Sequence, residues 1–366
     1  MIIILLLIAF IIFTVWYLEF FAYSIPVLYY HHIEPGDPVT PQVFETQMKY
    51  LIFRGYHSVS LDELYGFMKG GLRLHRKSFV LTFDDGFYCN YHYLMPLLKK
   101  HNLKATIFVV SGVRKQTSDN PEREVQRGYP SRTGTNKEAM DKFATWDELK
   151  VMIETGLASI EDHSLYHDRV YIDDTVKGFN TGAELDWQIS GDTRQGTVKY
   201  KTGSFLAYKI FTGDIRLNNR LFTLTKEKPF DPYTDEGLNA LKTEYIKYKK
   251  KNPVKYMYEA NDIYINRIKT DLKKSKQTIL EHTGRDPGFF CFPWGQYNRK
   301  LIKVIKDLGY KGAITTDKGA NTKGGDTYRI KRFKVYRSEL KWFKTFFFIH
   351  RSRLFSTIYS VFYGWL

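Results

Sequence analysis

Cysteine is nearly absent from this chain of 366 residues, which contains only Cys89 and Cys291. Two cysteines exclude a disulfide framework, and a pair of buried free thiols is favoured over a single bridge between them. Acidic residues are also in short supply, because 39 aspartates and glutamates stand against 55 lysines and arginines. The resulting net charge of +16 favours acidic surroundings, such as anionic lipid headgroups, an anionic glycan or nucleic acid.

Charge is missing from the first 18 residues, and the apolar character continues through Ala22. This length is close to the ~20 residues that a helix needs to cross a bilayer. A cleaved signal peptide normally has a basic start and a small-residue cleavage site, and neither occurs here. No lysine or arginine follows until Lys49. We therefore expect residues 1–22 to be an uncleaved anchor of a single-pass cell-membrane protein, with the rest of the chain extracytoplasmic.

The chain beyond residue 22 alternates between strand-like and helix-like segments. Apolar runs of strand length occur at Ile25–Tyr30, Tyr56–Ser60, Phe79–Phe83, Ala105–Val110, Leu157–Glu161, Phe289–Phe292 and Gly312–Thr316. Helical patterns lie between them, at Tyr91–His101, Trp146–Thr155, Ile263–His282 and Arg299–Leu308. Seven strands separated by helices predict a parallel α/β fold, either an open sheet or a barrel.

Three segments depart from this alternation. Gly112–Lys142 is polar and rich in Gly, Pro, Ser and Thr, which predicts a surface loop. Asp168–Pro253 has scattered aromatics and no steady period, and we interpret it as an insertion in the main domain. The tail over 339–366 is basic and aromatic; it would lie on an anionic membrane surface, pack on the domain or bind a partner. The predicted organisation is an anchor (1–22), a domain (23–338) with insertions at about 112–142 and 168–253, and the tail.

Two adjacent aspartates, Asp84 and Asp85, follow the apolar strand that ends at Phe83. The pattern is typical of a strand-end turn, but a bound metal ion would equally explain two neighbouring charges there. In parallel α/β folds, the loops after the carboxyl ends of the strands form the active site. That rule predicts that several polar groups meet at one end of the fold: His31, Asp84, Asp85, His163, His167 and the Pro293-Trp294-Gly295 segment.

This set has the chemistry of a catalytic metal site. His163 and His167 are four residues apart, so one helical turn would present both imidazoles to the same ion. One of the two aspartates would complete a two-histidine, one-carboxylate set with open positions, as in catalytic zinc sites. The other aspartate would then serve as a general base.

Thr82-Phe83-Asp84-Asp85-Gly86, followed by His163-Ser164-Leu165-Tyr166-His167, resembles the first two motifs of the polysaccharide deacetylases (carbohydrate esterase family 4, the NodB-homology domain). The segments WDEL at 146–149 and FPWGQYN at 292–298 are similar to other parts of that family. The opening PVLYYH at 26–31 is similar to the subgroup that deacetylates poly-β-1,6-N-acetylglucosamine. The resemblance covers residues 25–337, apart from the two insertions.

The resemblance implies a distorted (β/α)7-type barrel of the NodB kind. It also implies metal-dependent hydrolysis of N-acetyl groups from an amino-sugar polysaccharide of the poly-N-acetylglucosamine type, with release of acetate. Three residues would hold the divalent metal, namely Asp85, His163 and His167. Zinc is the favoured ion, and cobalt or nickel would suit the same ligands.

The resemblance also implies roles in the reaction. Asp84 would be the general base, and His31 would be the acid that protonates the departing sugar amine. The backbone N–H of Trp294 would bind the oxyanion, with Pro293 and Tyr297 beside it in the substrate site.

The sequence departs from the family at one position. Many members carry an arginine two residues before the proline of the third motif, where this chain has Cys291, so the group that orients Asp84 is not named. Arg329 and Arg332 are the candidates.

The expected partners are an N-acetylated polysaccharide, the membrane through the anchor and the tail, and a polysaccharide synthase or export protein, but no nucleic acid. The alternatives are deacetylation of peptidoglycan, capsule or a lipid-linked sugar, at nitrogen or oxygen, or a non-catalytic glycan-binding relative. The complete aspartate and histidine set argues against the last.

Overall fold

The structure, a computed structural model, describes residues 2–21, 23–118, 141–182, 189–227 and 234–363. Most of the predicted loop at 112–142 therefore lies outside the described residues. The strands are β1 (Val27–Tyr30), β2 (His57–Ser58), β3 (Ser78–Phe83), β4 (Ala105–Val109), β5 (Ala158–Asp162), β6 (Arg169–Phe179), β7 (Ile189–Ser190), β8 (Val198–Ser204), β9 (Phe211–Thr212), β10 (Met257–Tyr258), β11 (Phe289–Cys291), β12 (Gly312–Ile314) and β13 (Phe333–Lys334).

The helices include all four helical segments that the sequence predicts in the domain. They are α1 (Ile2–Phe21), α2 (Pro41–Phe53), α3 (Leu61–Met68), α4 (Met95–His101), α5 (Trp146–Glu154), α6 (Ile215–Glu227), α7 (Asp235–Lys251), α8 (Asn261–Thr283), α9 (Arg299–Asp307), α10 (Leu340–Arg351) and α11 (Arg353–Tyr363). The predicted helix at Tyr91–His101 is a π-helical turn over Asn90–Leu94 that continues into α4. Helix α5 begins with the expected capping box, in which Thr145 and Glu148 each accept a hydrogen bond from the other's backbone N–H.

The main sheet has the strand order β12-β11-β5-β4-β3-β1-β13, with β2 beside β3, and its neighbouring strands are parallel. A parallel bridge between Ile314 and Ile330 links the end of β12 to the segment that leads into β13. The two edges of the sheet therefore approach each other, and the sheet curves into a distorted, incomplete barrel rather than an open sheet. Strand β13 was not among the seven predicted strands, because its two residues lie among charged residues and form no apolar run.

The longer strands β1, β3 and β4 are buried on both faces, as their largely apolar sequences predict. On β3, Phe79, Leu81 and Phe83 pack with side chains of α2, α5 and α10 in the outer layer of the core. Val80 faces the other way and packs with α3 and the side chains inside the barrel. Burial of each of these large apolar side chains contributes roughly 1.5–3 kcal/mol. The two layers fix the barrel and hold the ends of the strands in place.

The segment that we interpret as an insertion has a core of its own. Strands β6 and β8 pair antiparallel, with irregular register after Tyr171, and β7 lies beside β6. Helices α6 and α7 pack on this sheet through Leu217, Leu221 and Leu241. The insertion meets the main domain where Gln296 Oε1 accepts a hydrogen bond of 2.7 Å from the backbone N–H of Ser204.

The expected transmembrane anchor is wrong. The first apolar run does form helix α1, but no helix in the described part of the chain is long and apolar enough to cross a membrane. The predicted single-pass placement, with an extracytoplasmic catalytic domain, depended on this anchor and is not supported either.

The basic aromatic tail packs on the domain, which is one of the three expectations for it. Phe343 and Phe347 of α10 lie in the main core, and His350 stacks on Phe333 of β13 with ring centroids 4.3 Å apart. Both cysteines, Cys89 and Cys291, are free and buried, as the sequence predicts.

Candidate active site

The two aspartates sit at the turn where β3 ends. The backbone N–H of Asp84 donates to the carbonyl of Tyr30, which extends the pairing of β3 with β1 by one residue. Asp85 and Gly86 then adopt φ of 69° and 67°, in the left-handed region. The buried Arg114 holds this turn, because its guanidinium donates to the carbonyls of Asp85, Gly86 and Ala144.

Gly86 is the position at which this turn tolerates no side chain. A Cβ built there would lie 2.4 Å from Nη2 of Arg114 and 2.9 Å from Cγ1 of Val109, whereas Gly156, with a similar φ of 71°, has nothing within 4 Å. We expect Gly86→Ala to lower the free energy of unfolding by about 2–5 kcal/mol, against about 1–2 kcal/mol for Gly156→Ala, which meets backbone strain alone. Urea unfolding of the two variants measures this, and equal losses would show that Arg114 does not pack tightly against the turn.

Arg332, which precedes β13, is the partner of Asp84. Its Nη1 and Nη2 donate to the two carboxylate oxygens of Asp84 over 2.7 Å and 2.6 Å, and both residues are 2% exposed. The guanidinium is itself fixed, because Nε donates to the carbonyl of Thr315 and the group lies 4.2 Å from the ring of Tyr29. Nη2 also lies 2.9 Å from Sγ of Cys291. Of the two candidate partners of Asp84, the structure therefore has Arg332 in contact with it. Arg329 instead contacts Asp326 and the ring of Tyr297.

This bidentate pair decides the charge of Asp84. Burial alone would raise the pKa of the carboxyl, but the Arg332 guanidinium and its hydrogen bonds, with a contribution from His163, lower it well below its usual range. Asp84 is therefore ionised at neutral pH.

The two histidines lie on a loop after β5, not on a helical turn as the spacing suggested. Ser164 and His167 have φ of 76° and 58°, which no helix contains. The carboxylate of Asp162 holds the loop by accepting hydrogen bonds from the backbone N–H of Ser164 and the hydroxyl groups of Ser275 and Tyr310. This buried acceptor, rather than helical geometry, brings the two imidazole rings to a centroid distance of 4.7 Å.

The donor set of Asp85, His163 and His167 fits a divalent metal ion. One potential ligand atom from each lies within 4.8 Å of the others. His163 Nδ1 is 2.9 Å from the carbonyl of Cys291, so it donates there and leaves Nε2, 3.6 Å from the Asp85 carboxylate, as the acceptor atom. Burial lowers the pKa of both histidines below the ordinary value, which keeps their imidazoles in the neutral form that binds metals.

A cleft of about 470 Å³ opens at this end of the barrel. It is lined by His31, Asp84, His163, His167 and Trp294, together with Tyr29, Phe292, Gly295, Thr316, Lys318, Arg332 and Lys334. Asp85 is buried beside it. Trp294 has a φ of 62°, and its half-exposed ring lies 4.7 Å from that of His167 and under the guanidinium of Arg169. The cleft thus gathers residues of six strands or the segments beside them, β1, β3, β5, β11, β12 and β13, and Arg169 of the insertion lies against Trp294.

Two predicted substrate-site residues do not line this cleft. Pro293 is buried behind Trp294. Tyr297 stacks on Phe292 with centroids 4.7 Å apart and donates its hydroxyl to Asp317. His32 also points elsewhere, since its ring stacks on Phe87 at 4.0 Å.

Sequence reasoning missed two residues that support the site, Arg114 and Asp162. Arg114 lies in the polar segment 112–142, where a lone arginine carries no pattern. Asp162 directly precedes His163, and a charged residue at the end of an apolar strand was the available signal.

The sequence model of the polysaccharide deacetylase family matches residues 72–195 and 255–313, half of the chain. The Bacillus subtilis (strain 168) protein YxkH, which is assigned to the polysaccharide deacetylases, is 36% identical over 89 residues, 24% of this chain and 32% of that protein. The poly-beta-1,6-N-acetyl-D-glucosamine N-deacetylase of Escherichia coli (strain K12) is 22% identical over 283 residues, 77% of this chain and 31% of that protein. The chain thus spans about a third of the length of these curated relatives.

The solved structure of a de-N-acetylase from Aggregatibacter actinomycetemcomitans has the same fold. It matches with a TM-score of 0.58 at 20% identity, over 87% of this chain and 99% of that one. A family model that covers half of the sequence, on a parallel barrel of the same fold, establishes the relationship. This chain belongs to the polysaccharide deacetylases, a family of hydrolases.

Proposed function

We propose that this protein removes N-acetyl groups from an amino-sugar polysaccharide of the poly-N-acetylglucosamine type, in a metal-dependent hydrolysis that releases acetate. One observation carries the proposal: a two-histidine, one-carboxylate donor set lies beside a second carboxylate that is held by an arginine. A binding module has no use for a buried, ionised carboxylate next to three metal-ligand side chains.

The residues that would hold the ion are Asp85, His163 and His167. Nitrogen and carboxylate donors of this kind suit zinc, and also cobalt or nickel. When bound, the ion would polarise the acetamide carbonyl and lower the pKa of the attacking water.

Asp84 would take the proton from that water, because its carboxylate is ionised and fixed by Arg332. The water oxygen forms a bond to the carbonyl carbon of the acetamide group. The bond between that carbon and the sugar nitrogen then breaks. The backbone N–H of Trp294 would donate a hydrogen bond to the oxyanion that forms between these steps. The products are acetate and the free sugar amine.

His31 would deliver the proton that the departing amine requires. Burial lowers the pKa of His31 to about 4, although the neighbouring Asp84 opposes the shift. The ring is therefore neutral at neutral pH in the free protein. A proton must reach it before the carbon–nitrogen bond breaks, and the proton that Asp84 takes from water is available for this.

The substrate class rests on the relative from Escherichia coli, whose name gives poly-beta-1,6-N-acetyl-D-glucosamine, and on the aromatic walls of the cleft. Trp294, which is 38% exposed, offers a face on which a sugar ring can stack. A second candidate is a negatively charged N-acetylated glycan, such as capsule or peptidoglycan. Lys318 and Lys334 favour it, since both line the cleft and would repel the amines of a deacetylated polymer.

Removal of the metal tests the proposed chemistry. We expect a chelator to abolish acetate release from β-1,6-linked N-acetylglucosamine oligomers and one equivalent of zinc to restore it. Peptidoglycan fragments and an O-acetylated sugar, assayed in parallel, separate the alternative substrates. Acetate release that is unaffected by exhaustive chelation would contradict metal dependence, and turnover of the O-acetyl sugar alone would contradict N-deacetylation.

A further inference from the structure

A second cavity lies at the opposite end of the barrel from the cleft, and we call it the basal pocket. It has a volume of about 460 Å³ and is lined by the carboxyl-terminal ends of α2 and α10 and by the residues that lead into β2 and β3. Helices that connect parallel strands run antiparallel to them, so these helix ends lie at the amino ends of the strands. The basal pocket therefore takes no part in the reaction proposed above.

Four cations line the basal pocket without an acidic residue among its lining side chains: Arg54, Lys77, Lys344 and Arg351. Within the described residues, none of the four forms an ion pair with a carboxylate. Four positive charges that converge on one cavity repel each other, and a bound anion would relieve that repulsion.

The helix ends account for only part of this charge. The carboxyl end of each helix carries about half a negative charge, and Lys77 Nζ donates to the carbonyl of Arg54, the C-cap residue of α2. Two helix ends therefore offset about one of the four positive charges. Lys344 lies in the interior of α10, where the helix dipole gives no reason for a cation.

Aromatic side chains hold the cations in place and form the walls. Lys344 Nζ lies 4.7 Å from the ring of Tyr50, and the guanidinium of Arg351 lies 4.9 Å from the ring of Phe348. Arg351 also donates to the hydroxyl of Tyr56 over 3.2 Å. At the rim, Phe53 is 88% exposed. These contacts fix the positions of Lys344 and Arg351, but they do not neutralise the positive charges.

We infer that the basal pocket is a binding site for a phosphate group, carried by a soluble phosphate ester or by the headgroup of an anionic phospholipid. Arginine and lysine donors suit the several oxygen atoms and the negative charge of a phosphate group better than a single carboxylate. The volume lies within the range of small-molecule sites and exceeds what a free ion fills, so an organic part of the ligand would rest against the aromatic walls. This site would position the protein relative to its surroundings, independently of catalysis.

Calorimetric titration with inorganic phosphate and with glycerol phosphate, at constant ionic strength, tests the soluble source. Co-sedimentation with phosphatidylglycerol vesicles, against phosphatidylcholine vesicles, tests the lipid source. We expect saturable binding in at least one arm, weakened at least tenfold by Lys344→Gln, since one charge-assisted hydrogen bond is lost.

Two matched variants serve as controls. Lys341→Gln removes an exposed cation from the same helix outside the basal pocket, and Lys334→Gln removes one from the cleft. Neither should change the binding. Loss in Lys344→Gln alone supports the inference, and the arm that shows it identifies the source. Absence of saturable binding in both arms, or equal weakening by Lys341→Gln, would overturn it.

Discussion

Replacing Asp84 by asparagine is expected to reduce acetate release by about 10²–10⁴-fold, the contribution of a positioned general base, while the protein still binds its metal ion. Asparagine has nearly the same shape as aspartate but accepts no proton. The proposed metal ligands Asp85, His163 and His167 are unchanged in this variant. Turnover with acetate release and metal content by elemental analysis, measured on the same sample, give both results.

Asp85→Asn is the matched comparison, since it changes the neighbouring residue in the same way. It should lose the metal and the activity together, because the carboxylate is the only negative ligand in the proposed set. Thermal unfolding of both variants shows whether they fold, since Asp84→Asn also leaves the buried Arg332 guanidinium without a carboxylate. Normal turnover by Asp84→Asn, or loss of metal from it, would mean that the two roles are assigned wrongly.

Replacing Arg332 by methionine should have the largest effect on stability. The change leaves the buried carboxylate of Asp84 without its partner, and breaking a buried pair in this way costs about 3–5 kcal/mol. We also expect activity to fall, because nothing then fixes the base beside the substrate. Urea unfolding measures the stability, and acetate release measures the activity.

The pH dependence of stability is a second test of the ion pair between Asp84 and Arg332. In the folded protein the pKa of Asp84 lies below its value of about 3.9 in the unfolded chain. The pair therefore contributes its full stability above that value, and the contribution is lost as the pH falls toward the folded pKa. In Arg332→Met this contribution is absent at neutral pH, so the stability difference from the natural protein shrinks as the solution is acidified.

Arg329→Met is the control for this prediction, since Arg329 is half exposed and its guanidinium lies 3.8 Å from Asp326 at the surface. Exposed pairs contribute about 0–1 kcal/mol, so the change should be small. Similar losses in the two variants, or full activity in Arg332→Met, would contradict the role given to Arg332.

The longer strands of the barrel, such as β1, β3 and β4, were predictable because each is an apolar run that is buried on both faces, and such a run is visible in the sequence without knowledge of its neighbours. Strand β13 was not, since its two residues become a strand only by pairing with β1 after the barrel has curved. For the same reason the sequence left Arg329 and Arg332 as equal candidates. Their order along the chain does not reveal which one faces the interior.

The metal ligands followed from their motif, but their local geometry did not. A spacing of four residues suggests a helical turn, and the structure has a loop with left-handed residues instead. The loop depends on Asp162, whose hydrogen-bond partners Ser275 and Tyr310 lie more than a hundred residues away in the sequence. Long-range contacts of this kind leave no local pattern. For the anchor, a clear local pattern led to a wrong prediction. The composition of residues 1–22 suggested a membrane span, but no helix in the described part of the chain is long and apolar enough to form one.

The most direct test of the proposed function is the stoichiometry of its products. The protein, loaded with one equivalent of zinc, is incubated with β-1,6-linked N-acetylglucosamine oligomers, and acetate and free amine are both quantified. We predict equal amounts of the two, with both reduced by about 10²–10⁴-fold in Asp84→Asn. Absence of acetate, or acetate released without a matching amine, would contradict N-deacetylation.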